Sequence, residues 1–474
     1  MKNNLSFLST FTSMSTLKAT FLSKSDIKAQ DLEHKRKLAF NIDKYAETVV
    51  KGKQQFAHLD VVREKAKNTK WRAIENLDQH LETFEKNFLK NGGKVIWAES
   101  AQDALDAVLK ICKDTGSQQV VKSKSMVTEE LHLNDFLAQH GIESVETDLG
   151  EYIQQLDGEA PYHIVTPAMH KSKEDVAKVF HEKLGTEPNL SPAEITQIAR
   201  KNLREKYITS PIGITGGNFL LADIGGVCVT ENEGNARLTT ALPKIHIAIV
   251  GIEKMLPSIN DLPLFWPLLA TYGTGQKVTV YNSIFTGPKK KGETDGPEEM
   301  YVILLDNGRT NMLQRKEVRE GMYCIRCGSC LNACPVYKNI GGHAYGATYS
   351  GPIGSVITPN MKDSFNDYKH MSYASSLCGA CTQACPVKIN IHEMLLENRH
   401  FSAKEGMNGF GENMAWKLWM NGMKNRALIN LAPSGIKNIV FSKVFSKSWS
   451  KRRSEIVFAK ENFTQLWKAY KNEA

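Results

Sequence analysis

Seven of the nine cysteines in this 474-residue chain stand in two short runs. The first is Cys324, Cys327, Cys330 and Cys334, with Pro335 directly behind it. The second is Cys378, Cys381 and Cys385, followed by Pro386. Two-residue gaps turn a chain tightly around one compact object, so that several sulfurs converge and backbone N–H groups face inward. Three further residues reach the last cysteine of each run, and proline ends the turn. Thiolates in this rhythm are the ligand pattern of cubane iron–sulfur clusters, in which the last cysteine of one run serves the cluster of the other. Zinc knuckles also use paired cysteines, but they close tetrahedrally without the third and fourth residues of the run. A disulfide framework needs an oxidising compartment and does not show this rhythm.

The runs repeat one another. Cys327-Gly-Ser-Cys-Leu-Asn-Ala-Cys-Pro-Val336 aligns with Cys378-Gly-Ala-Cys-Thr-Gln-Ala-Cys-Pro-Val387, as expected for two halves of a ferredoxin-type domain. The crossover assigns Cys324, Cys327, Cys330 and Cys385 to cluster 1, and Cys334, Cys378 and Cys381 to cluster 2. Counting back from Cys385 places Ser375 where a fourth thiolate of the second run would stand. Ser375 or His343 as ligand, water or a substrate oxygen, and a three-iron cluster are all open at that corner. The expected cofactors are two [4Fe-4S] clusters. The two remaining cysteines, Cys112 and Cys228, fall on apolar faces and read as core residues.

About 300 residues precede the first run, and they must position it. Residues 1–36 are expected to be a disordered leader, and residues 37–70 a helical segment clearest from Lys37 to Val50. Ile74, Leu77, Leu81, Phe84 and Phe88 share one helical face that Gly92-Gly93 ends. Strands then alternate with helices. Lys94–Trp97, Gln119–Lys122, Ser144–Thr147 and His163–Thr166 read as strands. Helices are expected after caps at Ser100 and Thr128 (the latter to about His140) and from Lys173 to Lys183. This alternation predicts an α/β domain over residues 71–306 with a mostly parallel sheet. Phe219–Ala222, Val227–Thr230, Ile245–Val250, Val278–Tyr281 and Tyr301–Leu305 read as its further core strands, with an exposed loop over Thr286–Pro297. Residues 307–400 form the mostly helical cluster domain, packed closely on the sheet domain.

The glycine-rich segment Gly213–Gly226 is a candidate site, because glycine lets backbone N–H groups approach an anion. Behind it lie Glu231, Glu233 and Arg237, the last a candidate carboxylate clamp, then His246 and the pair Glu253-Lys254. Lys122-Ser-Lys-Ser-Met126 sits at a strand-to-helix junction that favours anions. Turn chemistry explains the same residues equally well. Neither segment matches a dinucleotide or P-loop fingerprint, so no nicotinamide or flavin site is expected.

Composition is that of an ordinary globular protein, with 41% hydrophobic and 23% charged residues, and the length suits two or three domains. No apolar stretch is long enough to span a bilayer, and thiolate-bound metal suits a reducing cytoplasm. The net charge is +9, of which residues 401–474 carry +8, together with Trp416, Trp419, Trp449 and Trp467. This basic, Trp-containing region reads as a helical extension or a docking surface for a protein; no nucleic-acid motif accompanies the charge.

Taken together, Lys122–Met126, Pro167-Ala-Met-His-Lys171, Gly213–Asn218, Asn232–Asn235, Leu242–His246 and Gly251–Lys254 resemble the lactate-utilization (LUD) domain. The cysteine runs up to Tyr337 and Lys388 are similar to those of the lactate utilization protein B family, whose second run also has three cysteines. The resemblance covers roughly residue 38 to the C-terminus. It implies a LUD fold similar to the CoA-transferase and ribose-phosphate-isomerase group. It also implies an iron–sulfur electron-transfer subunit of a multi-protein system that oxidises L-lactate to pyruvate. Its partners would be a cysteine-rich heterodisulfide-reductase-like protein and a stand-alone LUD protein, with catalytic residues unassigned. Two other readings of the residues stay open: a hydroxy-acid enzyme acting at an open cluster iron, and a transferase or ligand-binding protein whose clusters are structural.

Overall fold

In the computed structural model, the backbone is described for residues 5–430, 432–445, 454 and 456–473, and side chains from residue 17 onward except at 429, 441, 444, 445 and 473 within those ranges. The chain divides into two compact units, residues 1–401 and 402–474.

The first unit opens with helices α1 (Leu5–Gln30), α2 (Leu32–Lys53), α3 (Leu59–Glu75) and α4 (Leu77–Lys90). Residues 5–30 are thus a helix, not the disordered leader expected from their Ser- and Thr-rich composition. Phe21 accounts for the difference where side chains are described, since its ring meets those of Tyr345 and His370 at 5.9 and 5.2 Å. The stripe from Ile74 to Phe88 is divided between α3 and α4 by a break at Asn76. Leu77, Leu81, Phe84 and Phe88 are buried as the spacing requires.

The α/β region follows as β1 (Lys94–Ala98), α5 (Ala101–Asp114), β2 (Gln119–Lys122), α6 (Met126–Glu130), α7 (Leu133–Gln139), β3 (Glu143–Glu146), α8 (Leu149–Asp157), α9 (Lys173–Leu184) and α10 (Pro192–Thr209). It continues with β4 (Ile212–Thr215), β5 (Phe219–Leu221), β6 (Gly226–Glu231), α11 (Asn235–Ala241), β7 (Ile245–Gly251), β8 (Met255–Leu256), α12 (Leu262–Thr274), β9 (Tyr281–Phe285) and β10 (Glu299–Leu305). Reciprocal capping at Ser100–Asp103, Ser172–Asp175 and Ser191–Glu194 fixes the starts of α5, α9 and α10.

Six strands form a sheet in the order β1-β10-β7-β4-β2-β3, parallel at every pairing. Strand periodicity sorts its two faces. Ile245, Ile247 and Ile249 of β7 join the core under α5, α6 and α7. Ala248 and Val250 join the core under α4. A second, mixed sheet, β8-β5-β6-β9, covers that latter side.

Three local expectations are corrected. Residues 163–166 are not a strand but a bent loop, in which His163 Nδ1 accepts the N–H groups of Val165 at 3.1 Å and Thr166 at 3.3 Å. A ring that takes both donors leaves none for a ladder. The strand expected at Val278–Tyr281 instead runs from Tyr281 to Phe285. The cap of α6 is Ser125, not Thr128, and His132 in the left-handed region (φ 53°) separates α6 from α7.

Residues 309–395 do not build a separate core. Met312, Tyr323, Leu331, Tyr337, Ile353 and Leu395 share one apolar cluster with Ala66 of α3, Phe219 of β5 and Phe265 of α12. The second unit contains helices Phe410–Lys424, Arg426–Asn430, Ser434–Phe445 and Phe463–Glu473. Within it Trp416, Trp419 and Trp467 are exposed, while Trp449 lies outside the described residues. Among the described residues no helix is long and apolar enough to cross a membrane.

Candidate metal centre

The two cysteine runs fold as copies. Each contains a short helix, Ser329–Ala333 or Ala380–Ala384, and the two pack against one another. Gly328 and Gly379 precede them at φ 77° and 78°, a conformation that glycine adopts freely. The residues immediately before Cys327 and Cys378, Arg326 and Leu377, also lie in the left-handed region, at φ 60° and 54°. Non-glycine residues rarely sit there. The repetition of this backbone at both runs marks it as a requirement of the ligand loop.

Cys324, Cys327, Cys330 and Cys385 line one small internal space with Ile164, Ile353, Val387 and Ile389. Cys385 therefore faces the first run. Cys334 lies near enough to Cys378 and Cys381 for their charges to interact. Backbone N–H groups of Arg326, Tyr337 and Ile389 donate to the sulfurs of Cys324, Cys334 and Cys385 at 3.4, 3.5 and 3.4 Å. Burial, reinforced by the neighbouring sulfurs, pushes Cys381 up to about 11 and Cys385 up to about 12. Converging buried thiols become thiolates when a positive metal core compensates them. The donor set therefore fits iron–sulfur clusters, the sulfurs as ligands and the amides directed at them. Cys378 differs: it is exposed, and bonds from the Ala380 N–H and the Ser376 side chain lower its pKa.

The other potential ligands behave differently. Ser375 Oγ accepts the Leu377 N–H at 3.1 Å, within the loop that leads to Cys378. His343 is drawn elsewhere. Its Nε2 lies 2.7 Å from Ala160 O, and its ligand nitrogen groups with Glu159 and His170. Its Nε2 thus has a partner outside the second cysteine set.

Strand ends converge beside the first run. In parallel α/β sheets, ligands bind outside the carboxyl ends of the strands. Ser123, Lys124 and Ser125 follow β2, Asp148 follows β3, Gly216–Asn218 follow β4, and Lys254 follows β7. All line a cavity of about 490 Å³ whose wall is completed by Glu231, Glu233, Arg326, Cys327 and Tyr349.

Two family models match the chain: the LUD domain over residues 81–305, and the 4Fe-4S dicluster domain over residues 320–389. Over 433 residues it is 41% identical to lactate utilization protein B of Bacillus cytotoxicus and of Bacillus cereus, covering 89% of this chain and 91% of each relative. The same name and coverage hold for Bacillus thuringiensis at 40% identity. The chain belongs to the lactate utilization protein B family. It carries that family's LUD domain followed by an iron–sulfur dicluster region.

Within this family framework, several sequence-derived candidates take other roles. Lys122 turns into the core, where Glu146, Glu129 and Glu151 surround it at 2.7, 3.2 and 3.7 Å. Burial opposes its charge, but the three carboxylates hold its pKa above the usual lysine range. It is thus a core cation and not an anion ligand. Arg237 is exposed and stacks on Tyr281 at 4.9 Å, outside the cavity wall. His246 is buried in β7, within 2.8 Å of Thr215 Oγ1, and burial pulls its pKa down to about 3. At Gly216 an added Cβ would meet Ser125 Oγ at 2.6 Å, and at Gly217 it would meet Val250 at 2.8 Å. Close packing therefore requires both glycines.

A buried charge network joins the LUD domain to the cysteine loop. Arg309 bonds Glu130 in a fork at 3.0 and 2.9 Å, and Glu253 through Nε at 2.6 Å. Arg326 reaches the other oxygen of Glu253 at 3.3 Å and lies over the Tyr349 ring at 4.3 Å. Burial would raise Glu253, but Arg309 and Arg326 hold it well below the carboxylate range. Lys70 donates to the carbonyls of Glu253 and Met255 at 2.6 and 3.2 Å. Burial lowers Lys70 to about 7 and Lys254 to about 8, and the Cys324 charge acts to raise both. An anionic centre at the first run would favour their charged forms. Of these residues only Glu253 and Lys254 stood out in the sequence. For the others the one available signal was the place of Arg326 between two ligand cysteines.

Proposed function

We propose that this chain is the iron–sulfur electron-transfer subunit of a multi-protein system that oxidises L-lactate to pyruvate. The observation that carries the reading is the convergence of Cys385 on Cys324, Cys327 and Cys330 inside a core shared with the LUD domain. The name shared by the relatives supports lactate utilization as the process.

In this reading Cys324, Cys327, Cys330 and Cys385 hold one [4Fe-4S] cluster, and Cys334, Cys378 and Cys381 hold the other. Ser375 is the candidate for the fourth position. When bound, the clusters supply one-electron transfer, and they cannot accept a hydride alone. The chain's own residues hold and shield them. The apolar wall of Ile164, Ile353, Val387 and Ile389 keeps water from the first set. Arg63 ties α3 to the second run through the Cys385 carbonyl at 2.8 Å and the Gln383 carbonyl at 3.0 Å. The exposure of Cys378 makes the second set the side for exchange with a partner. The partners proposed are a cysteine-rich heterodisulfide-reductase-like subunit and a stand-alone LUD protein, in the cytoplasm.

The test is anaerobic optical and EPR spectroscopy of the purified chain. Reduction of the clusters by L-lactate only after partner proteins are added supports the proposal. Reduction by lactate with this chain alone would replace it with a self-contained hydroxy-acid enzyme. Acyl-transfer activity that survives cysteine substitution would replace it with a transferase whose clusters are structural.

A further inference from the structure

The side of the strand-end cavity beside the first cysteine run carries the cations Lys254 and Arg326. Arg309 and Arg326 are matched in charge by Glu130 and Glu253, with which they form one buried network. Lys254 is then left over. It is 5% exposed, and among the described residues no hydrogen bond or ion pair reaches its ammonium group. Arg326 presents a second vacant donor. Its side chain is 10% exposed, and its Nη1 is buried without a hydrogen-bond partner. Both residues line the same cavity, beside Cys327. Leaving a buried charged donor unsatisfied is costly, so the vacant Arg326 Nη1, with the unpaired Lys254 ammonium in the same wall, points to a ligand with acceptor oxygens.

The rest of the wall restricts that ligand. Asp148, Glu231 and Glu233 also line the cavity and repel a second negative charge. Both Glu231 oxygens are already engaged, by the N–H groups of Ala236 at 2.6 Å and Arg237 at 2.9 Å. Asn218 Oδ1 accepts the Thr230 N–H at 2.9 Å, which orients the amide and leaves its NH₂ for a neutral oxygen. The Ser123 hydroxyl stands after the adjoining strand. A singly charged acid with one further oxygen fits this set better than a phosphate does.

We infer that Lys254 and Arg326 bind the carboxylate of a small hydroxy or keto acid in this cavity, against the loop that carries Cys327. The site belongs to this chain and needs no other subunit to complete it. The inference rests on the proposed lactate-system role only for the choice of L-lactate and pyruvate as probes.

Isothermal titration of the anaerobically purified, full-length chain tests it, with iron content and visible absorbance measured first on every sample. The expected result is saturable binding of L-lactate and pyruvate at one site per chain, with inorganic phosphate failing to compete. Lys254→Met and Arg326→Gln should each weaken binding about ten- to hundredfold, the range for one charge-assisted hydrogen bond, at unchanged iron content. Arg326→Lys should fall between, since it keeps the charge and loses the fork. Should Arg326→Gln lose iron, Lys254→Met decides, because Lys254 is outside the cysteine runs. Should neither variant fold, the wild-type preference for L-lactate over phosphate decides. Absence of binding by iron-replete wild type, equal affinity in Lys254→Met, or phosphate binding as tightly as lactate overturns the inference. If the cations serve only to neutralise the first cluster, the variants shift its reduction potential without changing lactate affinity, which also overturns it. A chain that lacks iron counts against the electron-transfer reading instead, so the two failures are distinguishable.

Discussion

Arg309→Met removes the centre of the buried network between the LUD domain and the cysteine loop. Arg309 is fully buried, and Glu130 and Glu253 are 3% and 1% exposed, so solvent does not screen the loss. The substitution deletes the fork to Glu130 and the 2.6 Å bond to Glu253. Glu130 keeps Tyr349 and Asn307, each at 2.6 Å, and Glu253 keeps only Arg326 at 3.3 Å. Two buried carboxylates then face one guanidinium. Removing one partner of a buried ion pair costs about 3–5 kcal/mol, a large share of the roughly 5–15 kcal/mol that stabilises a domain. The unfolding equilibrium should shift by about two to four decades. Urea titration followed by far-UV circular dichroism and by cluster absorbance measures this shift. Both probes should move to lower urea together, because the network holds Arg326 beside Cys327. Adding Glu130→Leu should restore part of the loss by removing the carboxylate that Arg309 had matched. An unchanged midpoint in Arg309→Met, or a double variant worse than the sum of the singles, would refute the account of the network.

Cys324→Ala should remove about half of the iron per chain, since it disables one of two clusters; elemental analysis checks this, and full iron would exclude Cys324 as a ligand. Ser375→Cys should change the EPR spectrum of the reduced protein if that position is the fourth corner of the second cluster; an identical spectrum would exclude it. A pH effect follows from His246, whose pKa falls from 6.5 to about 3 on burial. The unfolded chain binds more protons between these values, so the contribution is complete above pH 6.5 and is lost as pH falls toward 3. The slope is about 1.4 kcal/mol per pH unit below 6.5. Urea midpoints between pH 7 and pH 5 should show a shallower slope in His246→Asn, and an equal slope would contradict a neutral buried ring. Arg63→Met should weaken retention of iron on dilution, because Arg63 holds the Cys385 carbonyl; unchanged retention would assign Arg63 to the surface alone.

Local rules made part of this structure legible. Cysteine spacing constrains a few residues at a time, so the two ligand loops stood out before any fold was known. Ser100 and the apolar runs at Lys94–Trp97 and Ile245–Val250 obeyed caps and periodicity, and became α5, β1 and β7. Errors arose where a distant side chain decides the outcome. His163 bends residues that read as a strand, and Phe21 finds an apolar partner for a helix that composition marked as disordered. Lys122 and Arg237 have the residue types of anion ligands, but three carboxylates claim one and the Tyr281 ring the other. Lys254 and Arg326 are 72 positions apart, and only the fold brings both to one cavity wall.

Iron analysis with Mössbauer spectroscopy of the anaerobically isolated chain tests the central claim most directly. Two cubane clusters with about eight iron atoms per chain are expected. A protein that binds zinc in the cysteine runs, or that folds with no metal there, would contradict it.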